Sequence, residues 1–202
     1  MNAALGFVLA LLLLTLPLAA STPWTPIVAL LEKSVVAIAT DAGACTGFVI
    51  NEEKHYVLTA AHCDGKDIYA DNEPAKVVSK DVKKDLMVLE VKDLDRPALA
   101  LAKENPKVGD EVASFGYGYA LERPLFRVVH ISDDRTYIPH DGIGGPLLVI
   151  DATFVPGQSG GPVVDTSGAV VMLVQLGTDR VGMGAGAEII HAKVGRFFGR
   201  KK

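Results

Sequence analysis

The periodicity along this chain is that of strands. Residues 35–39, 47–50, 56–59, 86–91, 112–114, 125–130, 147–150, 162–164 and 170–174 form short runs rich in β-branched and aromatic residues, most of them bounded by Gly, Pro, Asn or Asp. Strands this short and this numerous predict barrels or a sandwich, an all-β class. A polar stretch over residues 102–110, Ala102-Lys103-Glu104-Asn105-Pro106-Lys107-Val108-Gly109-Asp110, carries the turn residues of a linker. The strongest helical pattern outside the first residues spans 188–200, with Ile190, Val194, Phe197 and Phe198 on one side and Lys193, Arg196 and Arg200 along its flank. Gly195 and Gly199 weaken that pattern. Such a helix either docks onto the neighbouring strands or lays its basic end on anionic lipid, and docking is the commoner use.

Residues 3–20 are apolar and end in Pro17-Leu18-Ala19-Ala20-Ser21, with the small residues a signal peptidase needs. Residues 1–21 are therefore expected to be a signal peptide, or a signal anchor if left uncleaved, and residues 22–202 the folded body. Two features are at odds with a cleaved export signal: no Lys or Arg precedes the apolar run, and the run is nearly long enough to span a bilayer if left uncleaved. Hydrophobic residues make up 49% and charged residues 22% of the chain, ordinary globular usage that excludes a disordered class. The formal net charge of −4, with basic residues scattered until Lys193, Arg196, Arg200, Lys201 and Lys202, argues against a nucleic-acid partner.

Two boxes carry chemistry. Leu58-Thr59-Ala60-Ala61-His62-Cys63 supplies a base, and Gly157-Gln158-Ser159-Gly160-Gly161-Pro162 supplies a nucleophile. A serine hydroxyl is a poor nucleophile at neutral pH, so acyl transfer needs an imidazole to take its proton and backbone N–H groups to hold the oxyanion. Small residues around Ser159 let the backbone turn tightly, and Gly157 frees an N–H to point into the site beside that of Ser159. His55, His130, His140 and His191 have no motif around them and receive no role.

At these boxes the chain resembles the trypsin-like, chymotrypsin-fold serine peptidases, with a match over about residues 34 to 190. The first box agrees completely. The second departs at Gln158, where digestive enzymes carry aspartate and HtrA-type bacterial enzymes usually asparagine. Glu32-Lys33-Ser34-Val35-Val36-Ala37-Ile38, Val108-Gly109-Asp110, Phe115-Gly116-Tyr117-Gly118 and a Gly182-Met183-Gly184 turn are similar to the HtrA-type branch, with no PDZ module expected in these residues. The resemblance implies two six-stranded antiparallel barrels, the first over about 34–101 and the second over about 108–187, with the site in the crevice between them and a short C-terminal helix over about 188–200. It also implies a catalytic carboxylate just before an apolar strand in the order His, Asp, Ser. Asp85, which opens Asp85-Leu86-Met87-Val88-Leu89-Glu90-Val91, fits that place; Asp81 is its rival, and Asp64, Asp67 and Asp71 also intervene.

The same resemblance pairs Cys45 with Cys63 as a disulfide beside the histidine. A zinc site from Cys45, His55, His62 and Cys63 has suitable atoms but lacks a Cys-x-x-Cys clip and would consume the base, so no metal and no cofactor is expected. By distance from Ser159, the substrate pocket is implied at Thr153, Leu176, Gly177 and Gly184, without a carboxylate, which favours cleavage after small to medium apolar residues. A neutral Gln158 cannot form the charge pair that switches on zymogens, so activity without a second proteolytic cut is expected. The expected partner is a protein or peptide substrate in a secreted, periplasmic or cell-envelope location, with membrane contact only through an uncleaved leader or the basic helix. Gly157 to Gly161 also spells the nucleophile elbow of an esterase, but that fold needs its acid and histidine after the serine. A peptidase-shaped binding protein that has lost its chemistry is the other alternative, and two intact boxes speak against it.

Overall fold

The computed structural model describes residues 24–138 and 143–199. The expected leader, His140 and the terminal Arg200, Lys201 and Lys202 lie outside the described residues. Strands β1 (Val35–Thr40), β2 (Gly43–Asn51), β3 (Tyr56–Thr59), β4 (Ile68–Ala70), β5 (Glu73–Asp81) and β6 (Leu86–Val91) close one barrel in the order β1-β2-β3-β6-β5-β4. A second barrel holds β7 (Glu111–Gly116), β8 (Leu125–Thr136), β9 (Leu147–Ile150), β10 (Pro162–Val164), β11 (Val170–Gly177) and β12 (Gly182–Gly186), closed as β10-β11-β12-β9-β8-β7. Every strand pair within the barrels is antiparallel. The segment between them touches β11 through a parallel bridge from Leu101 to Val170.

Several strands are continuously apolar because both of their faces are covered. In β6, Met87, Leu89 and Val91 fill the first barrel with Val36, Ile38, Val49 and Val57, while Leu86 and Val88 point the other way. Those two join Phe48, Ile50 and Leu58 from the first barrel and Ala113, Phe115, Val164, Val170 and Leu173 from the second in one shared core. In β11 the division repeats, with Val171 and Val174 inside the second barrel and Val170 and Leu173 in the seam. Each such side chain contributes roughly 1.5–3 kcal/mol when fully buried. Neither barrel covers its seam residues without the other.

Helices seal the seam at both chain ends. Helix α1 (Trp24–Ser34) buries Ile27 and Leu31 in the shared core, and its Trp24 ring meets Phe126 of β8 at 5.9 Å. The Arg96 guanidinium donates to the carbonyls of Glu32 and Lys33, which the end of the helix leaves without helical partners, and to that of Val35 at the start of β1. Helix α2 (Ala187–Val194) buries Ala187, Ile190 and Val194. It is shorter than the expected 188–200, because the backbone tightens at Gly195 into a 3-10 turn (Gly195–Phe197) that carries Phe197 edge-on against Tyr56 of the first barrel. Among the described residues no helix is long and apolar enough to cross a membrane.

Three strands were not visible in the pattern. Strand β4 is only three residues long, too short to show a period although Ile68 and Ala70 are buried in the first barrel, and β5, with Val77 and Val78 each 37% exposed, is held by its ladders to β4 and β6 rather than by an apolar face. The expected turn at Gly182-Met183-Gly184 is instead strand β12, paired on both sides with β11 and β9. Its glycines hide it from propensity but fit a crowded place, since a Cβ at Gly184 would collide with the Leu173 carbonyl. Gly184→Ala should therefore destabilise the fold by roughly 2–4 kcal/mol. Urea unfolding checks this, and an unchanged midpoint would contradict the close approach of β12 to β11.

Candidate active site

His62 sits in a 3-10 turn (Ala61–Cys63) directly after β3, and Asp85 in the turn that joins β5 to β6. Strands β3 and β6 are ladder neighbours, with Thr59 opposite Met87, so the barrel brings the two residues together across 23 positions of chain. The backbone N–H of His62 donates to Asp85 Oδ1 at 2.8 Å, and Nδ1–H of its ring donates to Oδ2 at 2.8 Å. A carboxylate can only accept, so this contact puts the ring proton on Nδ1 and leaves Nε2 free as a base. The Asp85 side chain is 5% exposed and that of His62 45%, a buried anion under an accessible imidazole. Asp81, the rival, accepts from the Lys84 N–H at 3.0 Å and lies 3.5 Å from Lys193 Nζ.

Ser159 comes from the second barrel, on the tight loop before β10. Its carbonyl accepts from the N–H of Thr46 on β2 at 2.8 Å, which fixes the loop to the first barrel. Gly160 has φ +82°, and a Cβ there would run into the Thr46 carbonyl and the Thr59 hydroxyl, with Ala60 N at 2.8 Å. The residue after Ser159 is thus pressed against the backbone two positions before His62, an approach only glycine permits.

The same loop has a division of labour among its N–H groups. Gln158 N donates to the Val155 carbonyl, Gly160 N to that of Val174 and Gly161 N to that of Gln158, at 3.1, 2.8 and 3.0 Å. The Gly157 carbonyl is turned inward and accepts from Thr46 Oγ1 at 2.7 Å. The N–H groups of Gly157 and Ser159 have no partner among the described residues. Two adjacent free donors on a rigid loop are what an oxyanion requires. Gln158, 1% exposed, uses its Oε1 to accept from Val155 N at 3.0 Å, so the loop is braced by a neutral amide.

A crevice between the barrels is lined by His62, Asp64, Lys80, Val82, Asp85, Ile143, Gln175 and Leu176, among others. On its rim the Lys80 ammonium holds the Asp64 carboxyl below the usual carboxylate range by hydrogen bonding to it. Of the expected pocket residues, Leu176 packs with Ile143 and Met183, and Gly177 pairs with Gly182 across β11 and β12. Phe154 covers that glycine pair: its backbone lies 2.9 Å from where a Cβ of Gly177 would stand, and its ring lies against Gly182. Thr153 turns its carbonyl to the Arg127 guanidinium at 2.9 Å. Gly184 is buried within the β12 ladders.

The sulfurs of Cys45 and Cys63 lie 1.98 Å apart, at bonding distance, with their Cα atoms 6.2 Å apart. Ligand atoms of Cys45, Cys63 and His62 fall within 4.8 Å of one another, but sulfurs at bonding distance offer no pair of thiolates to a metal. His55 is outside this group, with Nδ1 at 2.8 Å from the Leu94 carbonyl. His130 pairs with Asp151 at 3.2 Å and His191 with the Ala102 carbonyl at 3.0 Å.

Gln175, Thr46, Phe154 and Arg127 are the site's neighbours that the sequence reading missed. Gln175 alone carried a signal, as the one polar residue within the apolar run from Val170 to Leu176.

Residues 45–172 match the trypsin-like peptidase domain family. Among curated proteins, the serine protease Rv3671c of Mycobacterium tuberculosis is 33% identical over 166 residues, which cover 74% of this chain and 41% of that protein. A probable periplasmic serine endoprotease, DegP-like, of Halomonas elongata is 31% identical over 139 residues, or 62% of this chain and 28% of that protein. The chain thus spans less than half the length of these relatives. The crystal structure of the Rv3671c protease in its active form superimposes with a TM-score of 0.74 at 28% identity, covering 88% of this chain and 86% of that one. An HtrA-type protease, AlgW, shares the fold at a TM-score of 0.72. With its paired closed barrels and both sequence boxes at their seam, the chain belongs to the trypsin-like peptidase domain family.

Proposed function

We propose that this chain is a serine endopeptidase domain that cleaves peptide bonds through an acyl-enzyme. Ser159 attacks the scissile carbonyl, His62 takes its proton through Nε2 and passes it to the leaving amine, and Asp85 holds the imidazole in the correct tautomer and stabilises its charged form. The N–H groups of Gly157 and Ser159 receive the oxyanion. The observation that carries this reading is the two-point clamp of His62 on Asp85, which fixes both the position of the ring and the nitrogen that bears its proton. The brace from Gln158 to Val155 supports activity without a newly cut amino terminus, since the loop needs no charge pair.

An exported setting, in the cell envelope or secreted, is supported by the periplasmic naming of the DegP-like relatives and by Cys45 and Cys63, which are placed to form a disulfide. Closing a loop with a sequence separation of 18 residues stabilises the fold by about 3 kcal/mol in the chain-entropy account. The substrate pocket we assign to Thr153, Leu176, Gly177 and Gly184 has no carboxylate, and the Arg127 guanidinium at Thr153 opposes a second cation. Burying a lysine or arginine head there would cost on the order of several kcal/mol, whereas an apolar side chain gains about 25 cal/mol per Å². Phe154 over the Gly177 and Gly182 pair limits depth, which favours Val, Ala, Leu or Met before the cleaved bond.

Ser159→Ala should abolish peptide hydrolysis with an unchanged unfolding curve, because only the nucleophile is deleted. Asp85→Asn should lower kcat by roughly 10⁴-fold through the wrong imidazole tautomer. Undiminished turnover by Ser159→Ala, or a larger loss in Asp81→Asn than in Asp85→Asn, measured on one fluorogenic peptide, would overturn these roles.

On a peptide library, kcat/KM should be greatest for Val, Ala, Leu or Met at the position before the cut. Faster cleavage after Arg or Lys would show that the pocket lies elsewhere.

A further inference from the structure

Gln175 stands in β11 of the second barrel, 2% exposed. Its Nε2 donates to the Lys84 carbonyl at 2.6 Å and to the Asp85 carbonyl at 3.1 Å, both in the turn that presents the carboxylate to His62. Carbonyls only accept, so the amide nitrogen must face them, and Oε1 is left buried with no partner among the described residues. An apolar residue of similar shape would avoid that orphaned oxygen. A side chain that keeps a bare polar atom in order to hold two carbonyls of another barrel calls for a reason beyond stability.

The turn it holds is left-handed. Asp85 has φ +52°, a conformation that aspartate visits more readily than most residues but only as a minor state, and its own N–H reaches the Val82 carbonyl only at 3.4 Å. Such a conformation persists where its surroundings over-determine it. Here the surroundings are the second barrel: the Lys83 carbonyl accepts from Gly144 N at 2.6 Å, and the next two carbonyls accept from Gln175. Three consecutive carbonyls of the Asp85 turn are thus bonded to the barrel that carries Ser159.

We propose that Gln175 is a positioning residue for the reaction: from the second barrel it clamps the left-handed Asp85 turn of the first and thereby sets the carboxylate that orients His62. This rests on the triad reading above. Gln175 touches neither the imidazole nor the nucleophile, so its effect must pass through Asp85. It makes the placement of the acid depend on the docking of the two barrels, and a seam that opens releases Asp85 as well as separating Ser159 from His62.

The test is a double-mutant cycle on the active chain, with kcat counted per site titrated by a covalent serine-hydrolase probe. Gln175→Met should lower kcat about tenfold to a hundredfold with KM within about twofold, the scale on which a small misplacement of a catalytic group acts. In an Asp85→Asn background the same change should cost less than about twofold, because the path it acts through is already broken. Gln175→Asn keeps the polarity but is one methylene too short to reach both carbonyls, and should give the same pattern if the Met variant fails to fold. Wild-type kcat per titrated site, or an equal fold-loss in both backgrounds, would overturn the proposal. Should Ser159→Ala remain active, the triad itself fails; should that variant be dead while the Gln175 variants turn over normally, only the positioning role fails.

Discussion

The interaction on which the rest of this structure depends is the packing of one barrel against the other. Strands such as β2, β6 and β11 are apolar on both faces, so closing each barrel buries only half of their side chains. Phe48, Leu58, Leu86 and Val88 on one side and Phe115, Val164 and Leu173 on the other share one core, closed at its ends by the two helices. That demand fixes the relative placement of the barrels more firmly than any single polar contact, because it sums many buried side chains. The crevice at the edge of the seam, with His62 and Asp85 on one wall and Ser159 on a loop tied to both, follows from the packing.

Around the crevice the backbone turns through positive-φ conformations. Gly157 and Gly160 have φ of +101° and +82°, and Asp85 has +52°. Each is surrounded by bonds that leave no alternative: Thr46 Oγ1 on the Gly157 carbonyl, Val174 on Gly160 N, and the side chain of Gln175 on the turn of Asp85. Thr46 is central to this bracing, since its hydroxyl also accepts from Tyr117 N at 2.9 Å and its carbonyl from Thr59 Oγ1 at 2.7 Å. A loop braced in this way keeps the free N–H groups of Gly157 and Ser159 fixed, and under the proposed oxyanion role such preorganisation is worth more than a strong bond formed late. The brace from Gln158 is a neutral amide, accepting from Val155 N.

The two chemical boxes were legible because each is contiguous, and a run of six residues carries its own context. Most strands were legible for a related reason: two-sided burial makes them nearly continuous in apolar residues, and Tyr56–Thr59, Leu86–Val91, Leu147–Ile150 and Pro162–Val164 stand where the pattern put them. Strand β12 was hidden because its glycines are selected for the closeness of β11, a property of the partner strand. Strand β5 was hidden because its ladder to β6 holds it with little burial. Asp85 was preferred to Asp81 because it opens an apolar run, as the family resemblance implies; the ladder between β3 and β6 adds the reason that it is Asp85 that reaches His62. The contributions of Phe154, Arg127 and Thr46 depend on where the two barrels bring distant segments, which no local pattern records.

The central claim is that the seam assembles one activated serine from residues of both barrels. Reaction with an organophosphonyl fluoride, followed by peptide mass mapping, tests it most directly, because such probes modify a serine only when a base and an oxyanion site act on it together. The folded chain should take up one phosphonyl group, on Ser159, and the His62→Ala and urea-unfolded forms should take up none. Labelling at another residue, or Ser159 labelling that persists without His62 or without the fold, would contradict the account.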